Sequence, residues 1–157
     1  MIKQDRLLWS IVGILLIAVV ALLSYMQFIQ KKQQIIEQAE INSECGLSQF
    51  PCVVKLKDGG SVQLDISPQP VEVLKPINIR IVLNNIDVNR VVGQFNGVGM
   101  NMGINRYIFK QKQDGSYHAT VTLPVCVRNR MEWDAQISLE TEQGVIIAPF
   151  RFEAFRQ

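Results

Sequence analysis

Apolar positions follow three successive patterns along this chain. Residues 7–30 carry no charge, and 7–23 are almost wholly aliphatic. Residues 30–43 are rich in helix formers, contain neither Gly nor Pro, and bring Ile35, Ile36, Ala39 and Ile41 onto a narrow stripe. From Pro51 onward apolar and polar residues alternate in short runs separated by turn residues, the pattern of half-buried strands.

The first run is long enough to cross a bilayer, which takes about 20 apolar residues in a helix. It predicts a transmembrane helix over 7–29 behind a cytoplasmic tip, 1–6, with the lipid bilayer as its partner. Trp9 and Tyr25 fall near its two ends, where amphipathic rings favour the headgroup level. A cleaved signal peptide would have a shorter core, roughly 7–15 residues, and a small-residue cleavage pattern. Residues 22–27, Leu-Leu-Ser-Tyr-Met-Gln, do not supply that pattern. The second run predicts a juxtamembrane helical stalk over 30–44.

The alternating part predicts an all-β domain over 45–157, an immunoglobulin-like β-sandwich of seven to nine short strands. Runs 53–57 and 61–65 flank Asp58-Gly59-Gly60, and runs 106–111 and 116–123 flank Gln113-Asp114-Gly115; both linkers suit hairpin turns. Run 77–83 puts Ile77, Ile79, Ile81 and Leu83 on one face, and run 131–140 does the same for Met131, Trp133, Ala135, Ile137 and Leu139. Run 87–95 leads into a stretch with three glycines and two methionines. A last strand runs through 145–147 and 150–153. Pro68, Pro70 and Pro76 leave Val71-Glu72-Val73 an edge piece at best.

Composition narrows the picture. A chain of 157 residues, 48% hydrophobic, with mean hydropathy +0.13, holds one domain and a membrane segment. Lys3 and Arg6 before the apolar run are matched by Lys31 and Lys32 after it, and the α-amine tips the N-terminus towards the cytoplasm. Acidic and basic residues nearly balance beyond Lys32, so nucleic acid is not an expected partner. Cys45 and Cys52 bracket six residues that include Gly46 and Pro51. They form a disulfide if the domain lies in an oxidising compartment, or remain two thiols if it lies in the cytosol. Cys126 is the odd cysteine.

Candidate chemistry is sparse. His118 is the only histidine and falls on the polar face of its run, while Glu132 and Asp134 alternate with inward residues and read as solvated. No acid–base or nucleophilic constellation emerges, so the chain is read as non-enzymatic. The glycines at 97, 99 and 103 miss the spacing of a phosphate-binding loop, and no helix pattern follows them. What remains is sulfur. In an extended strand Met100 and Met102 share a face about 6–7 Å apart. Thioethers suit Cu(I), and Met131 and Cys126, which flank a loop, are the auxiliary ligands. The alternative is that the methionines fill core gaps beside a bulge and Cys126 is an inert buried thiol.

The Gly-Met-Asn-Met-Gly segment at 99–103, the Gly115-Ser116-Tyr117 turn, the Leu123-Pro124 strand end and the Met131-Glu132-Trp133 strand start, behind one N-terminal anchor, resemble the FixH-like and YtkA-like membrane proteins of bacteria. The similarity covers roughly residues 70–140. It implies a single-pass bacterial inner-membrane protein with a periplasmic β-sandwich, active in copper delivery or in assembly of a respiratory haem–copper oxidase, with the oxidase or its assembly factors as partners. This chain differs in having no histidine beside the methionines and in carrying Cys126. A structural or interaction domain of a membrane complex, without metal, is the alternative.

Overall fold

The computed structural model describes residues 2–32, 34–41, 50–100, 103–125 and 128–156. It divides into two compact units, residues 1–34 and 35–157.

The first unit is one helix, α1 (Ile2–Lys32, 31 residues). Side chains are described for Trp9 and for 11–27, and among these described residues no stretch is long and apolar enough to cross a membrane; the continuous part counts 17 residues. Ile14, Leu16, Ile17 and Leu22 are all exposed.

The second unit is all-β. Its strands are β1 (Ile35–Gln38), β2 (Cys52–Lys55), β3 (Ser61–Ser67), β4 (Pro76–Asn84), β5 (Arg90–Gly97), β6 (Arg106–Gln111), β7 (Tyr117–Thr122), β8 (Arg130–Glu140) and β9 (Val145–Phe155). They form one sheet in the order β1-β9-β8-β5-β6-β7-β4-β3-β2. The sheet turns its corner at β6, whose first residues pair with β5 from Arg106 to Phe109 and whose last two, Lys110 and Gln111, pair with β7. The inner faces of the two halves share one core, including Ile77, Ile79 and Ile81 of β4 and Trp133, Ala135, Ile137 and Leu139 of β8. Each such fully buried aliphatic or aromatic side chain contributes roughly 1.5–3 kcal/mol of transfer free energy. The period-2 alternation that predicts these faces is borne out along β8 and in β4 as far as Ile81, beyond which Val82 and Leu83 are both half-buried.

The helical stalk is corrected. The helix ends at Lys32, and Ile35–Gln38 is a strand lying parallel to the start of β9, with Ile35 opposite Val145 and Gln38 opposite Ile147. Ala39 continues the pairing by donating to the Ile147 carbonyl at 2.9 Å and is itself buried. Helix propensity in this segment is worth only tenths of a kcal/mol per residue. Pairing with an open sheet edge, with the β-branched Ile35 and Ile36 in extended geometry, outweighs it. The compact β unit accordingly begins at Ile35, not at Cys45.

Strand β9 is continuous through Pro149, which the sequence reading leaves out of its last strand. Pro149 has no N–H to give, and it sits beyond the end of the β1 pairing, opposite Gln136 of β8. Past it, Phe155 is clasped by residues 71–73: its N–H donates to Val71 at 2.9 Å, and its carbonyl accepts from Val73 at 3.0 Å. Residues 71–73 are thus an edge piece, as expected, laid along the end of β9.

Candidate functional site

The methionine stretch begins where β5 ends. Gly97 is buried opposite Trp133, and the next residue, Val98, donates its N–H to the Glu132 carbonyl at 2.9 Å. The chain then turns. The Met100 N–H reaches back to the Gly97 carbonyl at 3.3 Å, with Gly99 at φ +75° supplying a backbone conformation that favours glycine. Met100 therefore lies in a turn, half-buried against the core, and not on the strand face expected of it. The physical reason is the Gly97-Val98-Gly99 sequence, which ends the ladder before the first methionine.

Of the other proposed ligands, Met131 is 5% exposed, opposite Ala154, and packed in the core. Its thioether is thus enclosed with the core and not presented on an open surface. Met102 and Cys126 lie outside the described residues. Cys52 is buried and disulfide-bonded; Cys45, like Cys126, lies outside the described residues. Among the described residues no group of three or more His, Cys, Asp or Glu side chains is placed to hold a metal ion.

The same end of the domain carries three exposed apolar loop residues. Leu74 is 62% exposed and its N–H donates to the Leu123 carbonyl, which places it beside the β7 exit where Val125 is also exposed. Ile104 is 89% exposed and precedes Asn105, whose carbonyl accepts from Phe95 of β5. Leu74 has φ +63°, a left-handed conformation that a leucine adopts only at a cost of about 1–2 kcal/mol.

An Asp-Ser-His chain exists at the β6–β7 turn. Ser116, buried, donates its hydroxyl to Asp114 Oδ1 at 2.6 Å and accepts from His118 Nε2 at 2.8 Å; the Ser116 N–H also reaches Asp114. The hydroxyl proton points at the carboxylate, so the imidazole does not activate the serine as it would in a nucleophilic triad, where His stands between Ser and Asp. The Ser116 hydroxyl, then its backbone N–H, hold the Asp114 carboxyl below the usual carboxylate range, with Arg80 adding to them. This is turn chemistry. The Asp-Gly-Ser order already carries its signal, since an aspartate accepting from the N–H two residues on is an Asx turn. His118 lies on the outer face of its strand as expected, but half-buried.

Glu132 and Asp134 prove to be paired as well as solvated. Arg151 forks onto Asp134 at 2.7 and 3.1 Å and stands 3.8 Å from Glu132. Arg130 bonds Glu153, a 7%-exposed carboxylate on the same outer face. At the far end of β8, Arg90 forks onto Glu140 at 2.9 and 2.7 Å. Hydrogen bonds to these carboxylates push all three guanidinium groups further up from an already high value. Each cation is matched across strands, which is a ladder that holds register. Comparison with protein-family models, with curated proteins and with solved structures finds no match.

Proposed function

We propose that this chain is a single-pass membrane protein whose β domain is an immunoglobulin-like sandwich acting without catalysis, as a docking module on a membrane complex. The observation that carries the docking role is that three exposed apolar residues, Leu74, Ile104 and Val125, fall in loops at one end of the domain. The sandwich reading is supported by strand order: β3-β4-β7 correspond to A-B-E, β5-β8-β9 to C-F-G, and β6 serves both sheets. Support for the anchor comes from α1, which at 1.5 Å per residue is about 46 Å long against a hydrocarbon core of about 30 Å, and whose charge-free run spans 7–30. The resemblance to FixH-like and YtkA-like proteins suggests the bacterial inner membrane, a periplasmic domain, and a haem–copper oxidase or its assembly factors as partner.

The test is co-purification of the full chain from its native membrane in mild detergent. Leu74→Ser/Ile104→Ser/Val125→Ser loses the partner while keeping the thermal transition of the parent. Retention of the partner by a folded triple variant removes the docking role, and release of the parent chain from membranes by alkaline carbonate removes the anchor.

One observation favours a second reading, Cu(I) handling by Met100 and Met102 with Cys126. The Val98–Glu132 hydrogen bond holds the chain leading into Met100 against the start of β8. Titration of the full chain with Cu(I) under a competing chelator tests it. Affinity equal to that of Met100→Leu/Met102→Leu excludes this reading and leaves the docking role standing.

A further inference from the structure

The opposite end of the β domain holds a cleft of about 890 Å³, built by four separate segments: β1, the β2–β3 turn, the β4–β5 loop and the β8–β9 turn. Leu56 is buried in it, and Ile86, Val88 and Ile146 are half-buried, so its floor is apolar. Glu37, Asp58, Asp87 and Glu142 line it as well, the last three of them exposed, so its rim is acidic. Among the described residues no Lys, Arg or His belongs to the lining.

Two features set these carboxylates apart. Asp58, Asp87 and Glu142 have no cation within ion-pair distance among the described residues, whereas Asp134, Glu140 and Glu153 on the outer sheet face each have an arginine. They are also dispersed. Among the described residues no three of the cleft's carboxylates come together to hold one metal ion. A point cation is therefore a poor occupant, and an anion or a phosphate headgroup is repelled.

We propose that this cleft docks a cationic amphipathic peptide segment of a partner protein, an extended stretch that lays an aliphatic side chain on Ile86 and Ile146 and meets the rim with lysine or arginine on either side. Charge complementarity selects the segment and the apolar floor retains it. The volume lies within the range of ligand-binding clefts, roughly 300–1,000 Å³. The site lies at the opposite end from the apolar docking residues, and its test is independent of theirs.

The experiment uses the full chain in detergent micelles, isotopically labelled, titrated with a blocked peptide of about ten residues alternating Lys and Leu, long enough at about 3.3 Å per residue to cross the cleft. The same peptide with Glu in place of Lys, the same peptide with acetylated lysines, and Ca²⁺ alone are the comparison ligands. The expected result is a shift of the amide resonances of residues 86–88 and 141–143 by the lysine peptide. Affinity falls about tenfold in Asp87→Asn/Glu142→Gln and falls again as salt shortens the screening length to about 3 Å. Ile86→Lys, which places a cation on the floor, abolishes the shifts and serves if the first variant does not fold. Equal binding by the acetylated or glutamate peptide overturns the proposal in favour of adventitious apolar contact. Shifts elsewhere on the domain, unchanged affinity in both variants, or the same shifts from Ca²⁺ alone also overturn it.

Discussion

The two ends of the β domain are built on opposite principles. At the methionine end the ladders of β5, β8 and β9 stop in tight, tied-down loops over a filled core: Gly97 faces Trp133, Val98 bonds Glu132, and residues 71–73 clasp Phe155. At the cleft end the strands diverge into turns that leave space between them, with Leu56 the buried residue at the bottom. One end is closed by tied-down loops, and the other opens into a cleft rimmed by carboxylates. Substitutions of similar chemistry should therefore cost differently at the two ends.

The largest contrast is expected from Trp133→Ala, which empties a fully buried site beneath the methionine loop and destabilises the fold by about 3–5 kcal/mol in urea unfolding. Asp87→Asn at the cleft should change stability by less than about 0.5 kcal/mol. Near equality of the two would mean that the methionine end is not the closed one. Next in size, Met131→Ala should cost about 2–5 kcal/mol and Met131→Leu less than about 1.5 kcal/mol, if the buried residue acts by packing. A Met131→Leu variant that folds normally but loses Cu(I) affinity would make the residue a ligand.

Two glycines sharpen the comparison further. A Cβ on Gly93 of β5 would sit 2.8 Å from Phe109 Cε2 and 3.0 Å from Phe95 Cε2, inside the core, so Gly93→Ala should cost about 1–3 kcal/mol. A Cβ on Gly60 would sit just as near, 2.8 Å from Ile86 Cγ1, but Ile86 borders the cleft and has room to turn. Gly60→Ala should cost less than about 1 kcal/mol, and a loss as large as that of Gly93→Ala in the same urea series would show the cleft to be rigid.

Smaller still is the effect of relieving strain. Leu74→Gly removes a left-handed leucine and should stabilise by about 0.5–1 kcal/mol after glycine's extra chain entropy is deducted, whereas Asn85→Gly at the cleft end should be nearly neutral, since asparagine tolerates φ +57°. Comparing the two melting transitions checks this.

The smallest effect concerns pH. The folded-state carboxyl of Asp114 titrates below its unfolded value, so its contribution to stability is complete above an ordinary carboxylate pKa of about 4 and is lost as pH falls through the lowered one. Asp114→Asn should flatten the acid limb of the stability profile below about pH 4 and leave its shape near neutrality unchanged. An acid limb identical to that of the parent would remove Ser116 and Arg80 as the cause.

What sequence reveals differs between the ends in the same physical way. Strands β4 and β8 announce themselves because a two-residue period has one cause, burial of one face, and Ile77, Ile79, Ile81, Trp133, Ile137 and Leu139 all obey it. β1 does not, because Ile35–Gln38 is extended only through its partner β9, more than a hundred residues away, while its local composition favours helix. The turn at Met100 is written in the glycines, but a bulged strand and a strand end read alike until Val98 is seen bonded to Glu132. The cleft is illegible from sequence, because Glu37, Asp58, Asp87 and Glu142 are unremarkable residues of four separate turns and edges that only the sheet brings together.

The parallel pairing of β1 with β9 has a mechanical consequence. A load applied between the helix that precedes Ile35 and the C-terminal end of β9 runs along both strands in opposite senses. The bonds from Ile35 to Ala39 then share the force at once instead of opening one after another. The domain is thereby built to resist a pull between Ile35 and Phe155, whereas β2 at the other edge has β3 as its one strand partner among the described residues and would meet a transverse pull one ladder bond at a time.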